Sequence, residues 1–144
     1  MEQLLLVKAF LLLAVIRVGL KFLPFQTLYR LLAKVFQPTA KLQISESTYA
    51  EKVVWTVRVA SRYVRGVRCL AQALATQVLL EQRGYSSNLR IGFTRNKGGR
   101  MSAHAWVESE GRVVIGDLKN MADYIRVPLQ GTENLKKKEW RLLS

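Results

Sequence analysis

From Leu4 to Leu23, within a predicted helix of about Glu2–Leu23, the chain is very apolar and is interrupted by Lys8, Arg17 and Lys21. A helix over that span carries apolar side chains on most of its sides, so it should be buried against other helices or a partner. Pro24 ends it, because the residue before a proline is pushed out of helical geometry. A second helix covers Phe25–Phe36 and stops before Pro38. Tyr49, Val53, Val57, Ala60 and Val64 recur at three and four residues and predict a third helix. Ser45 or Ser47 serves as its N-cap, with Glu46 or Glu51 in the first turn. Arg58, Arg62 and Arg65 share another face, either solvated or turned to a partner. Gly66 breaks this helix, and a fourth runs from about Arg68 to Gln82, stopped by Arg83–Gly84.

After Gly84 the period changes to two. Asn88–Thr94, Ala103–Ser109 and Arg112–Ile115 read as three strands, with Arg95–Arg100 as a loop and Glu110–Gly111 as a tight turn. Tyr124–Leu129 adds a short strand. The expected class is α+β, a small antiparallel sheet with a helix packed on it. The expected organisation is an N-terminal helical region (1–45), a core (46–130) and a basic, mobile tail (131–144).

Composition narrows the function. Lys and Arg number 23 against 10 Asp and Glu, a net charge of +13, so an anionic partner is expected: nucleic acid, a membrane surface or an acidic peptide. No acid lies between Glu2 and Glu46, or from Lys52 to Leu80. The first helix is not read as a bilayer span, since its longest uncharged piece, Ala9–Ile16, is short against the roughly 20 residues required. Nor does it have the basic start and cleavage site of a signal peptide. Contact with a membrane surface is the alternative to burial. One Cys and one His exclude an internal disulfide and a closed Cys/His zinc site, and no glycine loop for nucleotide phosphates is present. The expected location is the cytoplasm, with membrane association as the variant, and no cofactor is expected.

The two singletons carry the candidate chemistry. Cys69 falls in the first turn of the fourth helix, where the helix dipole and free N–H groups favour a thiolate; Arg65 and Arg68 would add to this. A lone cysteine before Leu70-Ala71 is also compatible with a small buried hydrophobe. His104 shares a strand face with Trp106 and Glu108, and it too can be a structural histidine. With a two-residue turn at Glu110–Gly111, Ser109 opposes Arg112, Trp106 opposes Ile115 and His104 opposes Asp117. That places a carboxylate where it can accept an imidazole N–H, unless a bulge shifts the register. The order Cys, His, Asp suits thiol acyl transfer: Cys69 attacks an amide carbonyl, His104 moves the proton, and Asp117 orients His104. N–H groups at the helix start would hold the oxyanion.

At these residues the sequence resembles the lasso peptide biosynthesis B2 proteins, transglutaminase-like leader peptidases of ribosomal peptide pathways. The likeness rests on Arg68-Cys69-Leu70, Ala73-Leu74-Ala75, Leu79-Leu80 with Arg83-Gly84, and Leu89-Arg90-Ile91-Gly92. It continues through Ala103-His104-Ala105-Trp106-Val107-Glu108, Gly111 and Val113-Val114-Ile115-Gly116, covering about residues 50–130. The resemblance implies a transglutaminase/papain-like core and a cysteine protease that removes the leader from a lasso precursor. A separate recognition protein, B1, would hold the leader, and a cyclase would act next. On a length of 144 residues no fused recognition domain is expected, in keeping with the split B1/B2 arrangement. Cys69 carries over as nucleophile and His104 as base. The family's acid can sit one residue nearer the histidine, where this chain has Gly116; Glu108 is the other candidate to orient His104. The N-terminal helices and the face of Arg58, Arg62 and Arg65 are expected to dock the leader or its carrier, with Trp106 beside the site. The competing readings are another amide-directed acyltransferase or amidase, and a non-catalytic basic module binding RNA or membrane. The aromatic residues do not form the exposed stacking pattern of an RNA platform, so no nucleic-acid partner is expected.

Overall fold

The computed structural model describes residues 2–35, 47–64, 66–67, 69–85, 87–95, 98–109, 112–116 and 124–127. Four helices precede four strands: α1 Glu2–Phe22, α2 Phe25–Val35, α3 Ser47–Tyr63, α4 Cys69–Gln82, β1 Asn88–Arg95, β2 Met101–Ser109, β3 Arg112–Ile115 and β4 Ile125–Val127. Expectations for Phe36, Ser45, Glu46, Arg65, Arg68, Glu110–Gly111, Asp117, Pro128–Leu129 and the tail fall outside the described residues.

Helix α4 is the centre of the core. Its sequence is rich in alanine and leucine, strong helix formers, and ten of its fourteen residues are buried, from Leu70 to Leu80 with only Gln72 less so. Each fully buried leucine contributes roughly 1.5–3 kcal/mol of transfer free energy. Polar groups carried inward find partners. Thr76 Oγ1 donates to the Gln72 carbonyl at 2.8 Å, and Gln77 Nε2 donates to Tyr29 Oη at 3.1 Å and to Glu81 Oε1 at 3.2 Å. The helix stops after Gln82, and Gly84 in the turn beyond it has a φ of 85° that only glycine adopts freely. Gly84 N–H donates to the Glu81 carbonyl and Tyr85 N–H to the Leu80 carbonyl, so two terminal carbonyls gain partners.

Helices α1 and α3 pack against α4 and against each other. On α3 the apolar stripe points inward, with Val53, Val57 and Ala60 fully buried. On α1 only one face is buried, that of Ala9, Leu12, Leu13 and Ile16. The expectation of burial on most sides is therefore met for one side alone. Gly19, in the last turn of α1, lets α2 approach closely: a Cβ there would lie 2.6 Å from Leu28 Cδ1.

The strands form one antiparallel sheet in the order β3-β2-β1-β4. Pairs Leu89↔Val107 and Ile91↔Ala105 put four buried residues on the face that packs with the helices. Pairs Arg90↔Trp106 and Gly92↔His104 put the candidate chemistry on the other face. The β2–β3 register begins as the sequence predicts, with Ser109 opposite Arg112, but then slips. Ile115 lies opposite Val107, not Trp106, because β3 holds one extra residue at Val114. Opposed residues share a face. An unbroken ladder would have left Ile115 on the His104 side, whereas the bulge turns it into the core, where it is buried.

Candidate active site

Cys69 is the first residue of α4, half-buried and packed against the core. Its amide environment is therefore the open N-terminal turn of a helix, where N–H groups lack intrahelical partners. Helix α4 packs directly on β2, the strand that carries His104. The His104 ring is half-buried, stacked near Trp106 (centroids 6.0 Å, 18° between planes) and tilted against Tyr124 (5.9 Å, 55°).

The imidazole has a fixed orientation. His104 Nε2 lies 2.5 Å from the Gly116 carbonyl oxygen. A carbonyl can only accept, so Nε2 carries the proton of the neutral ring and Nδ1 is the basic nitrogen. Asp117 is the acceptor that an unbroken ladder would supply. With the bulge at Val114 that ladder is broken, Asp117 lies outside the described residues, and the acceptor seen is the backbone of its neighbour. Gly116 is suited to this as no other residue is. Its φ is +87°, and a Cβ would stand 2.8 Å from the Ala105 oxygen and 2.9 Å from Trp106 Cβ.

Glu108, the alternative orienting acid, is engaged elsewhere. It accepts from Trp106 Nε1 at 3.0 Å and pairs with Arg126 Nη2 at 3.0 Å. Arg90 Nε lies 3.4 Å from its other oxygen as an ion pair, without hydrogen-bond alignment. The Trp106 hydrogen bond is the main cause that holds its carboxyl below the usual range; burial opposes it, and Arg126 and then Arg90 add smaller lowering effects. Trp106 is correspondingly not a substrate contact surface, being 1% exposed. Its indole covers Gly92, where a Cβ would come within 2.9 Å of it, and Arg126 lies over the ring. Trp106 and Glu108 thus form a charged, buttressed floor beside His104. A carboxyl whose folded pKa is lowered stabilises the fold above its unfolded pKa and loses that contribution as pH falls through the folded value. The melting temperature of wild type should therefore exceed that of Glu108→Gln at neutral pH. The gap should narrow in acid below about pH 4.3; a constant gap in a pH series of thermal melts would refute the ion-pair role.

One contact had no signal in the sequence. The Arg17 guanidinium of α1 lies against Gly66, so close that a Cβ there would sit 2.6 Å from Nη2. Gly66 precedes Cys69 by three residues, so α1 delivers a positive charge to the turn that leads into the candidate nucleophile. Arg65 and Arg68, expected in that role, are outside the described residues. Arg58 and Arg62 are both exposed. Arg58 lines a groove of about 600 Å³ between α3 and β3, with Val54, Trp55, Arg112 and Val114 among its other walls. Among the described residues no group of three His, Cys, Asp or Glu side chains could hold a metal ion.

The family model of the transglutaminase-like superfamily matches residues 10–128. No curated protein and no solved structure matches the chain. The matched span runs from within α1 to just past β4 and takes in both Cys69 and His104. The superfamily generally contains cysteine peptidases and acyltransferases, chemistry that suits a thiol on a helix N-terminus and an oriented imidazole on the neighbouring strand. This chain belongs to the transglutaminase-like superfamily.

Proposed function

We propose that the chain is a cysteine peptidase that cleaves the leader from a lasso peptide precursor, working with a separate leader-recognition protein of the B1 kind. The observation that carries the reading is the orientation of His104. With Nε2–H donated to the Gly116 carbonyl, Nδ1 is the nitrogen able to take a proton from a thiol.

In this mechanism the Cys69 proton passes to His104 and Sγ bonds to the scissile carbonyl carbon. N–H groups at the start of α4 stabilise the oxyanion. The C–N bond then breaks, and the departing core-peptide amine takes the proton from His104. Water next attacks the thioester, giving a proton to His104 while a C–O bond forms. The leader leaves as a carboxylic acid, and the thiol regains its proton. Asp117, next in the chain to Gly116, serves as the anion that favours the imidazolium.

The groove between α3 and β3 suits the leader. Among the described residues β3 is an edge of the sheet, so an extended peptide can pair with it while side chains enter the groove. Trp55 and Val54 offer apolar contact, and Arg58 and Arg112 attract acidic residues. Arg62, one turn on from Arg58, extends the positive rim.

Incubation with a lasso precursor and its B1 protein tests the function, read by mass spectrometry. Wild type should yield two products whose masses sum to that of the precursor plus one water. An intact precursor, or a product joined to an added amine, would overturn the peptidase reading; the second outcome would make the protein an acyltransferase.

A further inference from the structure

We infer that the outer face of α1 is a docking surface for an anionic lipid bilayer, on which the helix lies in the plane of the interface. Opposite its buried side, Leu4, Val7, Leu11, Val15, Val18 and Phe22 are all exposed, Leu4 and Phe22 by 72% and 73%. Their spacing of three and four residues lines them up along one side of the helix. At 3.6 residues per turn Lys8 lies roughly 60° to one side of this stripe and Lys21 roughly 80° to the other. Both lysines are exposed. An apolar stripe with a cation on each flank is the arrangement of an interfacial helix, whose lysine stems cover apolar surface while the ammonium groups reach lipid phosphates.

Three observations select this occupant. The sequence has no acid from Gln3 to Ser45, and the exposed Arg30 and Lys34 of α2 add to the same sign. The surface therefore complements an anionic headgroup layer. A second copy of the chain fits poorly, since stripe-to-stripe packing would bring the flanking lysines together without acids to pair them. A transmembrane orientation conflicts with the core. Gln3–Phe22 is long and apolar enough to span, but Ala9, Leu13 and Ile16 are fully buried against the rest of the fold. Crossing a bilayer would withdraw them, whereas lying on its surface leaves them in place. The inference stands independently of the peptidase reading.

The test is co-sedimentation of the full chain with vesicles of phosphatidylcholine alone, or of equal parts phosphatidylcholine and phosphatidylglycerol. Wild type should pellet with the mixed vesicles, weakly with the neutral ones, and less as salt rises. Lys8→Gln/Lys21→Gln should weaken binding to mixed vesicles by roughly thirtyfold, the factor two interfacial cations supply. Leu11→Ser/Val18→Ser alters residues 58% and 57% exposed, so the fold should persist by circular dichroism while pelleting is lost. Equal pelleting of wild type and both variants would overturn the inference, as would no pelleting of wild type. So would a lipid-free dimer, seen by sedimentation velocity, that Leu11→Ser/Val18→Ser converts to monomer.

Discussion

Cys69→Ala should abolish leader release while leaving the protein folded. The side chain is small and sits at the first position of α4, half-buried at the edge of the core. Alanine is the best helix former, so removal of the sulfur costs little stability. The thioester, by contrast, cannot form at all. The expected loss is at least about a thousandfold in the rate of precursor cleavage, the scale seen when a nucleophile is removed from a coupled set. His104→Ala should fall by a comparable factor, and the double variant no further, because two groups that act in one proton transfer are not additive. A second readout separates mechanism from damage. Iodoacetamide should label wild-type Cys69 rapidly near neutral pH and His104→Ala more slowly, since the imidazole would no longer take the thiol proton. Retained cleavage by Cys69→Ala, with both variants melting normally, would place the nucleophile elsewhere.

The parts of this arrangement that are local were legible in the sequence. The stripe Val53, Val57, Ala60 and the glycine stop at Gly84 each depend on neighbours within a few residues, and the helix and its cap follow from them. Alternation along β2 assigned His104, Trp106 and Glu108 to one face for the same reason. What escaped the sequence depends on contacts between distant segments. The bulge at Val114 exists because Ile115 must reach the core beside Val107, a demand made by the helices and not by β3 itself. Trp106 looks like a substrate-facing aromatic until Gly92 and Arg126 are found to enclose it. Glu108 looks available until Arg90 and Arg126, on two other strands, are placed beside it. The contact of Arg17 with Gly66 joins α1 to the start of α4 across the fold, and no periodicity predicts it.

Among the described residues, the hydrogen-bond partner of His104 is a backbone carbonyl. In the sequence the orientation of His104 depends on the carboxylate of Asp117. Among the described residues the acceptor is the Gly116 carbonyl, presented by a residue with φ of +87°. The bulge, the positive φ and the absence of a side chain at Gly116 occur together beside that carbonyl. A neutral acceptor fixes the tautomer as well as a carboxylate does, though it stabilises the imidazolium less.

Gly116→Ala should therefore cost both stability and catalysis, and by separable routes. The φ of +87° alone costs a non-glycine residue about 1–3 kcal/mol. The added Cβ, 2.8 Å from the Ala105 oxygen and 2.9 Å from Trp106 Cβ, meets backbone and a packed side-chain root, neither of which can swing aside. Relief requires β3 to move away from β2, which takes the Gly116 carbonyl from His104. Gly99→Ala supplies the control: it has a similar φ of +77° with nothing within 4 Å of the new Cβ. It should lower the melting temperature through backbone strain but leave precursor cleavage near wild type. Gly116→Ala should melt lower still and lose cleavage by roughly a hundredfold or more, the scale of a misplaced catalytic group. The fall should lie in kcat, and iodoacetamide labelling of Cys69 should slow in parallel. If Gly116→Ala cleaves like Gly99→Ala, the carbonyl does not orient the base and the role returns to Asp117, whose alanine variant should then show the larger loss.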